Sequence, residues 1–219
     1  MTGNSFSGVE YVVRTIAQTA VDNEKEFGDL DAVVGDGDFG YSLARGFEIV
    51  LNDWNTYDRA DIGTFLKKIA VVITSRIGGT SGPIWGTAFL RAGTKAAGKS
   101  ELTGDDVVVM LRAAAEGIMA RGKASLGEKT LLDALIPATD TIEAAVGRGE
   151  SPAEIARAAA TTTRDAAEAT KLLEAKRGRA SYTGERSIGS VDAGAMALAI
   201  IAERIADNWP APARSASSS

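Results

Sequence analysis

The sequence predicts an all-α fold, a single-domain antiparallel bundle of eight helices. Apolar residues recur at helical spacing along most of the 219-residue chain. No stretch shows the sustained alternation of apolar and polar residues that is typical of strands. Most connections between the helical stretches are short, which favours antiparallel neighbours. Because 45% of the residues are apolar, a chain of this length can bury a core.

The first helix shows the clearest period. Its apolar residues form one stripe with helical spacing: Val9, Val12, Val13, Ile16, Ala17, Ala20 and Val21. Ser7 and Glu10 match a capping box at its start, and Ser151 and Glu154 match a second one before a later helix. The predicted stretches are 8–27, 41–54, 60–76, 83–98, 104–121, 129–147, 152–176 and 191–208. Abundant alanine in the last four favours close helix packing.

Composition excludes several classes of function. The 24 Lys and Arg residues against 29 Asp and Glu leave a net charge of −5, so no basic groove for nucleic acid is expected. No apolar run is long enough to span a membrane and no secretory signal is visible, so we expect a cytoplasmic protein. With 0 His and 0 Cys, a Ser-His-Asp triad and thiolate or imidazole zinc sites are excluded. Residues 1–210 are expected to form the domain, and 211–219 a disordered tail.

An acidic loop with three glycines follows the first predicted helix. Asp31, Asp36 and Asp38 fall within eight residues, and such crowded carboxylates repel one another unless a cation neutralises them. Oxygen ligands without His or Cys select Mg²⁺, Ca²⁺ or Mn²⁺ over zinc. The alternative is a solvated acidic turn that caps the second helix. The residues themselves leave both interpretations open.

Three further glycine-rich loops precede helices. The turn at 78–83 would present N-terminal amides to phosphate oxygens, or it is a plain turn in which Ser or Thr caps the helix. The loop at 176–194 holds four basic residues in eleven. Arginine there suits phosphate or carboxylate, although a solvated loop paired with Glu174 and Glu185 has the same composition. The segment 121–133 is another Gly/Lys loop.

The positions of these loops bring them together. In an up-and-down bundle, connections alternate between the two ends, so the loops after the first, third, fifth and seventh helices share one end. These are the four glycine-rich loops. One end of the bundle is therefore predicted to gather carboxylates for a metal ion, amides for phosphate and arginines for negative charge, as a nucleotide site does.

Four ordered motifs resemble the L subunit of dihydroxyacetone kinase, the nucleotide-binding half of a two-component ketose kinase. They are LDAVVGDGDFGYSLARGF (30–47), GGTSGPIWGTAFLRA (78–92), RGKASLGEKTLLDALIPATDTIEAA (121–145) and AKRGRASYTGERSIGSVDAGA (175–195). With the helices between them, the resemblance covers residues 8–208. It implies an antiparallel eight-helix barrel with the nucleotide at one end.

The resemblance also implies a set of site residues. Asp31, Asp36 and Asp38 would hold two Mg²⁺ ions that bridge the phosphates of ADP or ATP, and with Arg179 they form the implied catalytic set. The nucleotide would lie against Phe39, Gly40, Ser42, Gly79, Thr80, Ser81, Gly82, Gly122, Leu131, Arg179, Asp192, Ala193 and Gly194.

Two departures from the family's pattern bear on the site. Phe39 stands where His is common, and Ser42 stands where Asn is common. A third, Ala193, replaces a frequent Pro. Because the three carboxylates remain, we interpret the chain as a divergent branch that keeps its site, in which Phe39 lines the pocket and a Phe39→His change is tolerated.

Partners follow from the same resemblance. In that family a separate K subunit binds the ketone sugar, such as dihydroxyacetone or erythrulose. The phosphoryl group comes from ATP, or from ADP that a phosphotransferase-system protein recharges. A homodimer is compatible with the resemblance, whereas no nucleic acid and no membrane are expected. Two other classes stay open: a regulatory module that keeps the fold but transfers nothing, and a bundle that binds Ca²⁺ or Mg²⁺ without nucleotide.

Overall fold

The structure is a computed structural model that describes residues 4–209. Most residues in that range are helical, so the all-α prediction is confirmed. The nine described α-helices are α1 (Phe6–Asp22), α2 (Glu24–Ala32), α3 (Phe39–Asn52), α4 (Ile62–Arg76), α5 (Ser81–Lys95), α6 (Gly104–Gly122), α7 (Leu132–Gly147), α8 (Pro152–Ala169) and α9 (Ala193–Asp207). Short 3₁₀ segments lie at Trp54–Thr56, Thr170–Leu172 and Arg179–Ser187. The predicted tail at 211–219 lies outside the described residues.

The first predicted stretch, 8–27, consists of two helices. Asn23 separates them with a non-helical φ of −108° and ψ of 22°. Its Nδ2 donates a hydrogen bond to the carbonyl oxygen of Thr19 at 2.8 Å, which satisfies a carbonyl at the end of α1. The second helix, α2, then continues through Ala32 into the segment predicted as loop. The described chain therefore holds one α-helix more than expected.

Each helix from α3 onward packs against the next one in the chain. The last helix, α9, packs against α1, and α1 packs against α3, so these eight helices form a closed circuit of contacts. The additional helix, α2, packs on α3 and α9. Packing between consecutive helices is typical of an up-and-down bundle, in which alternate connections share an end.

The helix ends agree in part with the predicted caps. Ser151 and Glu154 form the expected box, in which the Ser151 amide donates to Glu154 Oε2 at 2.8 Å and the Glu154 amide donates to Ser151 Oγ at 3.4 Å. The box predicted at Ser7 is wrong, because α1 already begins at Phe6. The helix predicted to begin at 129 begins at Leu132, and the one predicted to reach 176 ends at Ala169.

A short antiparallel pair that was not predicted joins Asn4–Ser5 (β1) to Glu101–Leu102 (β2). The second strand lies in the connection between α5 and α6. Since α5 begins at the glycine-rich turn 77–80, β2 lies at its other end, about 20 Å away at 1.5 Å per helical residue. The pair therefore holds the start of the described chain at the end of the bundle away from the glycine-rich loops.

The core divides into two kinds of packing. Large apolar side chains fill the space among α1–α5, and those with no measurable exposure include Phe27, Phe47, Phe65, Ile69 and Ile73. Small side chains line the later helices, where the buried alanines are Ala113, Ala114, Ala115, Ala134, Ala138, Ala145, Ala159, Ala160, Ala167, Ala195, Ala197 and Ala199. None of the described helices is both long and apolar enough to cross a membrane.

Candidate functional site

Three carboxylates meet where α2 leads into α3. Asp31 lies on the last turn of α2, and Asp36 and Asp38 lie in the connection before Phe39. One carboxylate oxygen of each residue lies within 4.8 Å of the other two. The structure therefore brings the three predicted ligands together. It corrects one detail, because Asp31 was expected in the loop and lies on a helix.

The connection folds back on Asp31. The main-chain oxygen of Asp31 accepts hydrogen bonds from the amides of Val34 at 3.2 Å and Gly35 at 2.6 Å, and its Oδ2 accepts one from the amide of Gly37 at 2.9 Å. A Cβ at position 35 would lie 2.4 Å from Asp31 Oδ1, and Gly37 has a φ of +77°, so both positions require glycine. These contacts set the conformation of the loop that carries Asp36 and Asp38.

Arg179 brings a positive charge to this cluster from the connection between α8 and α9. Its Nη1 forms an ion pair with Asp36 and lies 3.3 Å from Asp38 Oδ2. Because all three side chains are exposed, the pairs contribute little to the stability of the fold, but they offset the repulsion among the carboxylates. A donor set of carboxylate oxygens alone fits a hard divalent cation such as Mg²⁺.

The N-terminus of α5 lies next to this cluster through the start of α3. The Ser42 amide donates to the carbonyl oxygen of Asp38 at 2.9 Å, and a Cβ at Gly78 would lie 3.6 Å from Ser42 Oγ. Thr80 is the N-cap residue of α5, as the alternative of a capped turn predicts, but its side chain makes no capping hydrogen bond. The amides of Ser81 and Gly82 donate to no acceptor in the described part of the chain. Such amides are available to phosphate oxygens.

The remaining predicted residues lie on the other two loops of the same end. Gly122 ends α6 next to α5, since its Cβ would lie 3.3 Å from Ile84 Cδ1. A Cβ at Gly194 would lie 3.3 Å from Leu131 Cβ and 3.2 Å from Asp192 Oδ2. Leu131, Asp192 and Gly194 thus form one group where α7 and α9 begin. The four loops are thus linked to one another directly or through the start of α3, as expected for connections that share one end.

Asp192 caps α9, because its Oδ2 accepts a hydrogen bond from the amide of Ala195 at 2.8 Å. The pKa of its carboxyl is raised from 3.8 to about 7, mainly by burial and also by the nearby carboxylate of Asp133, while the Ala195 amide and Lys129 oppose the shift. Ionisation of Asp192 therefore costs the folded state free energy at neutral pH.

The change Asp192→Asn is expected to alter how stability depends on pH. The folded pKa exceeds the unfolded one, so the stability that protonated Asp192 contributes is present below pH 4 and is lost as the pH rises through about 7. Asn keeps an oxygen for the Ala195 amide but does not ionise. As the pH rises from 5 to 8, the free energy of unfolding of the variant should increase by about 2 kcal/mol relative to that of the unmodified chain. Urea denaturation at both pH values measures this, and parallel pH profiles would contradict it.

Phe39, Gly40 and Gly82, which are predicted nucleotide contacts, also have packing roles. The ring of Phe39 lies 6.1 Å from that of the buried Phe27, at the margin of the core, so it does more than line a pocket. Buried Gly40 and Gly82 allow close approach of main chains, because a Cβ would lie 1.9 Å from the Glu24 oxygen or 2.2 Å from the Ile77 oxygen. Ala193 is the half-buried first residue of α9.

The change Phe39→His is therefore expected to keep the fold but lower its stability by about 1 kcal/mol, because the imidazole loses apolar contact with Phe27. Thermal denaturation measures the loss. Binding of Mg²⁺ and ADP to the same variant shows whether the site tolerates the change. A variant with the same melting temperature as the unmodified chain would contradict the packing role of Phe39.

Sequence analysis missed a group of buried polar residues beside the site. Lys129, Asp133, Thr170 and Ser187 each expose less than a tenth of their surface. Asp133 accepts hydrogen bonds from the amides of Gly127 at 2.5 Å and Thr130 at 2.7 Å, which holds the loop before α7. Lysine is seldom buried, so only the place of Lys129 in the motif at 121–145 could have drawn attention to it, and its left-handed conformation (φ 59°) is known from the structure alone.

The chain is similar to curated kinases and kinase subunits. It is 36% identical over 177 residues to the "PEP-dependent dihydroxyacetone kinase, ADP-binding subunit DhaL" of Escherichia coli (strain K12), which covers 81% of this chain and 84% of that protein. It is 39% identical over 186 residues to the L-erythrulose kinase of Pectobacterium atrosepticum, covering 84% of this chain and 31% of that protein.

A solved structure is similar as well. The dihydroxyacetone kinase from C. freundii in complex with AMP-PNP and Mg²⁺ matches 94% of this chain with a TM-score of 0.74 and 25% identity. This chain spans 35% of that one. The DAK2 domain matches residues 33–207, which include the carboxylates at 36 and 38 and the three loops that follow. These matches confirm the resemblance that the motifs indicated, and the chain belongs to the DAK2 domain family.

Proposed function

We propose that the chain is the Mg²⁺- and nucleotide-binding subunit of a ketose kinase. The observation that carries this proposal is the group formed by Asp31, Asp36 and Asp38 with Arg179 at the end of the bundle where α5 presents free amides. Oxygen ligands, amides and an arginine are what a metal-bound polyphosphate requires. The names of the ADP-binding relatives support the same assignment.

Each part of the group has a proposed role. The three carboxylates hold two Mg²⁺ ions, which neutralise phosphate charge when bound. The amides of Ser81 and Gly82 donate to phosphate oxygens, with Thr80, Gly79, Gly40 and Ser42 beside them. Arg179 leaves the carboxylates and pairs with the transferring phosphoryl group. Positioning and charge neutralisation then carry the transfer.

The nucleoside is proposed to bind between the later loops. Gly122 and Leu131 border one side of this region, and Asp192, Ala193 and Gly194 border the other at the start of α9. The apolar side chain of Leu131 suits contact with a base, and the small residues of α9 leave room for a ribose. Phe39 follows the loop that carries Asp36 and Asp38, and its ring packs against Phe27.

A separate subunit is proposed to hold the ketose. Four large apolar side chains on the loops beside Arg179 and Lys129 are exposed: Leu126, Leu172, Tyr182 and Ile188. Exposed apolar side chains on these loops suit contact with a protein that must bring a sugar to the proposed phosphates. We propose the K subunit as that protein, and dihydroxyacetone or erythrulose as the sugar, as named for the relatives.

Two phosphoryl sources fit this site, exchangeable ATP and a bound ADP that a phosphotransferase-system protein recharges. The names of the relatives include a PEP-dependent kinase and an erythrulose kinase. Assays with a K subunit and dihydroxyacetone separate the two sources. Product formed with ATP alone indicates exchange, and product that requires PEP with the phosphotransferase proteins indicates recharging.

Thermal denaturation tests the proposed binding. Mg²⁺ with ADP at about 100 times the dissociation constant should raise the melting temperature by roughly 5–10 °C, whereas ADP in EDTA should not. Protein stripped of nucleotide is the starting material. A full shift with Mg²⁺ alone would instead support a metal-binding bundle, and no shift with either would overturn the proposal.

A non-catalytic module is the second candidate, because Phe39 packs toward the core and offers no polar group at a position where the resembling kinases carry His. That candidate predicts Mg²⁺·ADP binding without turnover. Kinase activity with a K subunit that is lost in Asp36→Asn would exclude it.

A further inference from the structure

Lys129 is a buried cation whose partners are all carbonyl oxygens. It exposes 3% of its surface. Its Nζ donates hydrogen bonds to the main-chain oxygens of Leu173 at 3.1 Å, Ser190 at 2.7 Å and Ser187. An ammonium group has three N–H donors, so each is used. All three acceptors belong to one segment, the connection 173–190 between α8 and α9.

The residue before it holds the same connection. Glu128 accepts two hydrogen bonds from Arg177, at 2.7 Å from Nε and 2.8 Å from Nη2, and its carbonyl oxygen accepts one from the amide of Lys176 at 3.1 Å. The contacts of Glu128 are exposed, whereas those of Lys129 lie inside. Glu128 therefore contacts the connection near its start, and Lys129 contacts it near both ends.

The connection 173–190 carries Arg179, the cation of the proposed site. Arg179 extends from it to Asp36 and Asp38, and Asp192 follows directly after it to cap α9. Its own buried residues are few, chiefly Ala175 and Ser187, which bond to each other through the Ala175 amide and Ser187 Oγ at 2.8 Å. A segment with so little apolar burial depends on polar contacts for its order.

We propose that Lys129 is a positioning residue, whose ammonium group holds the connection 173–190 in the conformation that brings Arg179 to the three carboxylates. Removing the ammonium leaves the main-chain oxygens of Leu173 and Ser190 without a donor in the described structure, and leaves that of Ser187 with the Ser190 hydroxyl alone. Water can replace the lost donors only if the connection opens. Burial lowers the pKa of Lys129, and the nearby Asp192 carboxylate opposes this, which agrees with a cation held by neutral groups. The effect on nucleotide binding rests on the proposed function, whereas the effect on the connection does not.

Hydrogen exchange of the ligand-free protein tests whether Lys129 orders the connection 173–190. Three amides report on the connection: Ala175 bonded to Ser187 Oγ, Gly189 bonded to the Lys171 oxygen, and Asp192 bonded to Thr170 Oγ1. In Lys129→Met these amides should exchange at least about tenfold faster, while amides of α4 and α5 keep their rates. The matched control is Lys123→Met, since Lys123 has the same left-handed conformation (φ 49°) but is exposed.

A double-mutant cycle tests whether Lys129 affects nucleotide binding through Arg179. Lys129→Met should weaken Mg²⁺·ADP binding by about tenfold in the unmodified chain and by less than about twofold when Arg179→Ala is already present, because both changes remove the same contact. Equal effects in both backgrounds, or exchange that is faster throughout the bundle, would show a merely structural role and overturn the proposal. If Lys129→Met does not fold, Lys129→Gln, which keeps two N–H donors, serves the same comparison. Absent nucleotide binding in the unmodified chain would overturn the proposed function alone.

Discussion

Replacing Asp36 by asparagine is expected to weaken the binding of Mg²⁺ and ADP by about 100-fold while leaving the helices intact. The carboxylate of Asp36 lies within 4.8 Å of those of Asp31 and Asp38, so it completes the charge that attracts a divalent cation. Asparagine keeps the size and one oxygen but loses the negative charge, and a neutral amide is a much weaker ligand for Mg²⁺. Isothermal titration calorimetry with Mg²⁺·ADP measures the loss.

The free energy of unfolding without ligand should change by less than about 0.5 kcal/mol in this variant, because Asp36 is exposed. Asp29→Asn is the matched control, since Asp29 lies on the same helix as Asp31, is exposed and pairs only with Lys25 among the described residues. The control should bind Mg²⁺·ADP normally. Normal binding by Asp36→Asn would contradict the assignment of the carboxylates as ligands.

Replacing Gly40 by alanine is expected to cost about 3 kcal/mol, which lowers the melting temperature by roughly 6–12 °C. The added Cβ would lie 1.9 Å from the main-chain oxygen of Glu24 and 2.5 Å from the amide nitrogen of Gly28. Both atoms belong to the backbone of α2, so no side-chain rotation relieves the clash. α2 must move away from α3, and Asp31 moves with it.

The matched control is Gly8→Ala, on α1, where a Cβ meets nothing within 4 Å. Alanine there should stabilise the chain by up to about 1 kcal/mol, because it favours the helix over glycine. Differential scanning calorimetry compares the two variants. If Gly40→Ala has the same melting temperature as the unmodified chain, α2 is free to shift away from α3. The position of Asp31 would then need another explanation.

Much of this fold was predictable from local patterns. The stripe from Val9 to Val21 predicts α1, and the Ser151 box predicts the start of α8, because periodicity and capping depend on nearby residues alone. The alternation of connections placed four loops at one end without any knowledge of distances. Carboxylates crowded in sequence were bound to be crowded in space, so the cluster of Asp36 and Asp38 was predictable as well.

The rest depends on contacts between residues far apart in the sequence. The break at Asn23 needs the bond to Thr19, which helical periodicity does not reveal. The place of Asp31 on α2 depends on Gly40 allowing α3 to approach. Burial of Lys129 depends on carbonyl groups more than forty residues away, and a lysine in a glycine-rich loop is ordinarily exposed.

The ends of the described chain also determine how the protein can be handled. β1 pairs with β2 beyond the far end of α5, and Trp209, which follows α9, lies edge-on to Tyr11 with ring centroids 5.8 Å apart. Since α9 starts at the carboxylate end and has 15 residues, Trp209 lies about 20 Å from the carboxylates. A fluorescent label or an affinity tag placed at residue 4 or 209, the two ends of the described range, would therefore be attached far from the four loops. Immobilised by such a tag, the protein would present its loops to solution, which suits surface-based measurement of a partner subunit.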